Sequence, residues 1–254
     1  KLIGTGVGML GGPIGALAGA AIGHLYDDDD PTPQSERKAR ILYLAYFFSC
    51  AAKVAKADGA ISAAEIAIIE NLMERFRLDS KTTEFCKNVF RKAKVSKRSI
   101  DEDFKEVGKL IGHDSTVGQS FLGGLFEVIR ANGEKLNEMQ VRFLLRGEER
   151  LKLQTGTIRS WIRGGYAPPH HDPSSDNLTI EEAYNVLGLA RDCTEAELKK
   201  TYRGKAADFH PDKLKSKNLP GEFVSFANDQ LAKINQAHQA VSYTHLRAHE
   251  TSLH

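Results

Sequence analysis

Apolar residues recur at three- and four-residue steps over most of the chain, and no clear two-residue alternation marks a strand. The pattern predicts an all-α protein. Residues 37–163 read as a helical domain. Ile41, Leu42, Leu44, Ala45, Phe47 and Phe48 are apolar nearly all round, as expected of a helix buried on every side. Asp58-Gly59 ends it. Ser62 and Glu65 form an S-x-x-E capping box that opens a helix with Ile66, Ile69, Leu72, Met73 and Phe76 on its inner face. Further helices are predicted around 81–94, 101–111, 117–131 and 137–152. Ala55 to Leu72 faintly echoes Ile129 to Leu145: each has a helix end, an Asp/Asn-Gly turn, an apolar residue, a polar cap and a new helix.

The N-terminal stretch has a different pattern. Leu2 to Tyr26 carries no charged residue apart from His24, and about 20 such residues suffice to cross a bilayer. Gly11, Gly15, Gly19 and Gly23 recur every four residues, so they share one helix face, where small side chains let membrane helices approach closely. The expectation is a membrane span over residues 1–26 that packs against a second copy through these glycines. A flexible glycine-rich leader is the alternative. Residues 27–36, with Asp27 to Asp30, Pro31 and Pro33, form an acidic linker. Arg37, Lys38 and Arg40 follow, and cations after a span favour the cytoplasmic side for what comes next. The chain starts at Lys1 rather than at a methionine and is read as lacking a few N-terminal residues.

A second linker, 164–177 (GGYAPPHHDPSSDN), separates a compact C-terminal module over 178–241. His170 and His171 within it have no further histidine or cysteine nearby, so no metal is expected there. Thr179/Glu182 and Thr194/Glu197 form two capping boxes. The second opens a helix with Leu198, Tyr202, Ala206 and Phe209 on one buried stripe and Lys199, Lys200 and Arg203 on the other face. His210-Pro211-Asp212 ends this helix. The residue before a proline is driven out of the α region, so the tripeptide forms a rigid corner. A third helix is predicted over 221–241, with Phe223, Ala227, Ile234, Ala237 and Val241 facing the first two.

Charge sharpens this picture. The 254 residues net only +2, which argues against a general nucleic-acid binder. Residues 198–217 hold seven cations against two acids, whereas the module as a whole has nine of each. A segregated basic element of this kind steers association with an acidic protein surface. Lys87, Arg91, Lys92, Lys94, Lys97 and Arg98 form another basic cluster, either a solvated helix end or a contact for anionic lipid. Cys50, Cys86 and Cys193 are scattered and odd in number, which suggests neither a disulfide framework nor a zinc site. His210 and Asp212 lack a neighbouring nucleophile or a glycine-rich phosphate loop, so no catalytic residue, metal or cofactor is expected.

Two resemblances follow from these residues. VAKADGAISAAEIAII, through Ala57, Asp58, Gly59, Ile61 and Glu65, resembles the signature of TerB-like helical domains. Some of those domains are thought to bind metal, but Asn132 stands where a second acid would be needed, so a turn and a cap are the expectation here. AYNVLGL, LKKTYRGKAADFHPDK and KINQAHQAV resemble the J-domain of the DnaJ co-chaperones. With the glycine-rich segment, the combination resembles the membrane-anchored DnaJ-like protein A subfamily of Gram-negative bacteria.

This resemblance implies a non-enzymatic co-chaperone at the bacterial inner membrane, with its C-terminal domains in the cytoplasm. His210, Pro211, Asp212, Lys199, Lys200, Arg203 and Lys213 would contact a DnaK-type chaperone and favour its ATP-hydrolysing state. The TerB-like domain would recruit an unknown client. An envelope-stress scaffold or a metal-responsive domain is the alternative. Gly204 and Lys205 depart from the family pattern, where a helix former and an apolar residue are usual, and His238 replaces a common tyrosine. Residues 242–254 break the pattern, resemble translated adapter sequence and are read as a non-native tail.

Overall fold

The computed structural model describes residues 13–25, 33–58, 61, 63–76, 78–130, 136–166, 178–209 and 221–251. All secondary structure among them is helical, as the periodicity predicts. The chain divides into two compact units, Lys1–Gln154 and Thr155–His254.

The first unit contains α1 (Pro13–Leu25), α2 (Gln34–Ala55), α3 (Ala63–Arg75), α4 (Ser80–Lys94), α5 (Ile100–Leu110), α6 (Ser115–Arg130) and α7 (Glu138–Arg150). Every residue from 41 to 52 is buried, so α2 is the axis of the unit. It packs against α1, α4, α5 and α6. Edge-to-face rings link it to α6: Tyr43 and Phe47 lie 5.3 and 5.5 Å from Phe121. Helix α6 comes very close at Gly124, where a Cβ would lie 2.7 Å from the Phe47 ring. Any side chain there would force the two helices apart.

A charged group sits inside this apolar packing. Asp103, on α5, is fully buried. It accepts hydrogen bonds from Ser49 Oγ (2.8 Å), Arg98 Nε (2.7 Å) and Lys53 Nζ. Burial alone would lower the Arg98 pKa, but the hydrogen bond and charge of Asp103 outweigh it and raise it. Nearer the surface, Asp101 takes both arms of the Arg150 guanidinium at 2.9 Å, tying α5 to α7. Ser99/Glu102 and Asn137/Gln140 form the capping boxes that start α5 and α7.

Helix α3 corrects one expectation. Ile69, Leu72 and Met73 are buried, but Ile66 is 44% exposed and Glu65 is fully buried in its place. The inner face therefore starts at Glu65, one residue earlier, and continues at steps of four and three through Ile69 and Leu72. The expected Ser62 cap lies outside the described residues. At the N-terminus, Ile14 and Ala18 are buried, and α1 packs against α2 and α4. No helix among the described residues is long and apolar enough to cross a membrane. The first twelve residues of the expected span lie outside them.

The second unit starts earlier than the composition suggests. A short helix α8 (Thr157–Ser160) runs into a wider turn, Trp161–Gly165, and this segment packs on α9 (Ile180–Leu187). Residues 155–163, assigned above to the helical domain, thus belong with the C-terminal module. The reason is the burial of Ile158, Trp161 and Tyr166 there. Gly188, at φ +71°, terminates α9 in the left-handed conformation that favours glycine. Helix α10 (Glu195–Asp208) and helix α11 (Gly221–Thr251) complete the unit. Leu187, Leu198, Phe209, Ile234, Ala237 and Val241 form its core. The expected inward faces of Phe223 and Ala227 lie outside what is described. The break expected after Val241 does not occur: α11 continues to Thr251. Residues 242–251 contain neither glycine nor proline, and Thr244 Oγ1 bonds back to the Ala240 carbonyl at 3.0 Å.

Replacing Asp103 by Asn should destabilise the first unit by about 3–5 kcal/mol, because Lys53 and Arg98 lose their shared counter-charge. Denaturant unfolding, followed by a probe in that unit, should show a clearly lower midpoint. An unchanged midpoint would mean that this cluster carries no weight in the fold.

Candidate functional site

The basic face of the C-terminal unit is built by α10. Thr194 caps the helix by accepting from the Glu197 amide, while Glu197 returns a carboxylate to the Thr194 amide at 2.8 Å. Leu198 and Phe209 are buried, and Tyr202 and Ala206 are half-buried, which fixes the helix rotation. Lys199, Lys200 and Arg203 consequently face out and are exposed. Lys199 pairs with Glu195 one turn back at 2.5 Å. Lys200 and Arg203 pair with no carboxylate among the described residues, so two cations stand available on this face. His210, Pro211, Asp212 and Lys213 lie outside the described residues. They follow directly on Phe209, whose burial ends α10 against the core.

Helix α10 is held antiparallel to α11 by a polar and aromatic contact. Tyr202 stacks on His238, with ring centroids 4.0 Å apart and planes 23° from parallel. Its hydroxyl donates to Asn235 Oδ1 at 3.1 Å. The residue at 238 is therefore an aromatic partner that fastens the hairpin. Desolvation, with the Lys199 charge adding to it, lowers the His238 pKa below the ordinary 6.5.

The two departures in α10 now have a physical reading. Gly204 is exposed, and a Cβ there would meet nothing within 4 Å. Lys205 is half-buried, as a side chain does when its stem lies along the core and its ammonium reaches water.

Other singled-out residues are dispersed. Arg98 turns inward to Asp103 and Arg91 pairs with Glu84 at 3.3 Å, so the α4 cluster loses part of its outward charge. Lys92, Lys94 and Lys97 remain exposed. Gly15, Gly19 and Gly23 lie on α1, with Gly19 exposed, while Gly11 is outside the described residues. Cys50, Cys86 and Cys193 are free thiols. No cluster suited to a metal ion occurs among the described residues. Sequence reasoning missed Asp103 and Trp161. The signal for Trp161 was its uniqueness: the only tryptophan in the chain stands at the edge of a stretch read as linker.

Gly204→Ala should stabilise the C-terminal unit by up to about 1 kcal/mol, since the site is helical, open and free of steric conflict. The check is a rise of a few degrees in the unit's melting temperature. Acidification should have the opposite effect. A base whose folded pKa lies below its unfolded value stabilises the fold above the unfolded pKa, and that stability is lost as pH falls from about 6.5 towards the folded value. The stability difference between the wild-type chain and His238→Phe should therefore narrow or reverse below pH 6.5. A difference that stays constant from pH 8 to pH 5 would contradict the assignment.

Comparison with known proteins places these features. The DnaJ domain family matches residues 182–249, and the co-chaperone DjlA transmembrane domain matches residues 1–40. The co-chaperone protein DjlA of Coxiella burnetii is 28% identical over 258 residues, covering 95% of this chain and 96% of that protein. The proteins of the same name from Photobacterium profundum and Escherichia coli K12 are 27% and 26% identical, with the same coverage. No solved structure matches the chain. An N-terminal match to a transmembrane domain, a DnaJ-domain match at the other end and similarity along nearly the whole length support a DnaJ-type co-chaperone similar to the DjlA proteins.

Proposed function

We propose that this co-chaperone is tethered to the bacterial inner membrane and acts on a DnaK-type chaperone in the cytoplasm. The single observation that carries the reading is the exposed cationic face of α10, the helix that precedes His210-Pro211-Asp212 in the sequence. Lys200 and Arg203 pair with no carboxylate among the described residues, so an acidic partner surface gains their charge on docking. Lys199, on the same helix, extends that face, and Lys213 is a further contact read from the sequence. The tripeptide then engages the partner's regulatory contact, and docking favours the partner conformation that hydrolyses ATP. The chemistry belongs to the partner, and this chain contributes differential binding energy rather than a catalytic group.

Residues 1–26 supply the anchor in this reading, and the face bearing Gly11, Gly15, Gly19 and Gly23 pairs two copies in the bilayer. The first unit, which resembles TerB-like domains, recruits the client. A compact helical unit suits delivery of one client class better than broad capture of unfolded chains.

The test is single-turnover ATP hydrolysis by purified DnaK with the full chain, beside His210→Gln. Stimulation by the wild type that disappears in the variant is the expected result. Equal activity in both would remove the corner from the mechanism. Reversing Lys200 and Arg203 to Glu should slow association by about tenfold or more at low salt, with a smaller effect above 0.5 M salt, because exposed charges are screened.

A further inference from the structure

Residues 155–166 lie outside the span matched by the DnaJ domain, yet they pack as part of the same unit. Three hydrogen bonds fix them. Ser160 Oγ donates to the Asn185 carbonyl at 2.5 Å, and Asn185 Nδ2 donates to the Arg163 carbonyl at 3.1 Å. Lys233 Nζ, on α11, donates to the Tyr166 carbonyl at 2.7 Å. Trp161 and Tyr166 meet edge to face at 5.1 Å, and both are buried. The segment thus forms a strap bound to α9 by side chains and to α11 by a lysine.

The α11 end of this contact leads directly to the docking helix. Lys233 is two residues before Asn235 and five before His238, the two residues that hold Tyr202 of α10. At 100° per residue, Lys233 points away from the side carrying Asn235 and His238. One short stretch of α11 is therefore gripped by the strap on one side and by α10 on the other. A rigid element held at both faces transmits position between them.

We propose that the strap is a working part of the J-domain module and that Trp161 is a positioning residue, which sets how the basic face of α10 is presented to the chaperone. The second half of this rests on the chaperone-docking reading above. The first half does not.

The experiment uses the full chain with Trp161→Ala, the conservative Trp161→Phe, and Lys233→Gln as a variant that leaves the buried ring in place. Hydrogen exchange is measured without chaperone. Trp161→Ala should speed exchange of α9 and α11 amides by about tenfold or more, with the first unit unchanged, because a buried anchor of a cooperative unit is lost. Trp161→Phe should remain close to wild type. Unchanged exchange in Trp161→Ala would overturn the strap altogether. DnaK stimulation is then titrated with each variant. The co-chaperone concentration for half-maximal stimulation should rise about fivefold or more in Trp161→Ala and Lys233→Gln, with maximal stimulation retained and Trp161→Phe restoring the wild-type value. Faster exchange with an unshifted midpoint would overturn the positioning role. If the wild type itself gave no stimulation, the docking reading would fall while the exchange result still decided the strap.

Discussion

A helix that is apolar on every side cannot sit at a surface, and the first unit is organised by that constraint. Residues 41–52 of α2 leave no polar face to show to water, so neighbours must enclose the helix. Helices α1, α4, α5 and α6 do so, with aromatic edges from α2 meeting Phe121 and a glycine of α6 letting the backbones close up. Burial of this kind favours collapse but specifies little, since apolar contacts are non-directional. Asp103 supplies direction. Its carboxylate accepts from two side chains of α2 and from Arg98 just ahead of α5, so α5 has one register along α2.

The second unit solves a different problem. Its three principal helices are short or amphipathic, and its basic face must keep cations in water while the opposite stripe stays dry. Reciprocal capping boxes start α9 and α10 at fixed residues, and a left-handed glycine ends α9. The Tyr202–His238 stack then holds the hairpin at the point where α10 turns its lysines outward. Basic face and core are set by the same rotation of one helix.

Most of this was legible in the sequence where local chemistry decides. The capping boxes at Thr179 and Thr194, the burial of α2 and the outward lysines of α10 all follow from side-chain type and spacing within one helix. The features that were not legible depend on distant parts of the chain. Asp103 looks like one more acid in an acidic first turn, and only the approach of Ser49 and Lys53, some fifty residues earlier, makes it a buried anchor. Ile66 and Glu65 exchanged roles because a helix face is chosen by what packs against it, and hydropathy alone does not fix that. Trp161 was assigned to the wrong unit because composition shifts mark linkers, while contacts mark domains.

The position of the strap has a consequence for chain continuity. Residues 167–177 join it to α9, and both ends of that connection belong to one unit. A cut within those residues would therefore not separate the co-chaperone module from the rest of the polypeptide. The piece ending at Tyr166 would stay held through Trp161 and Lys233, as two fragments of one fold complement each other without a peptide bond. Fragments divided there by proteolysis would travel together under native conditions and part only in denaturant.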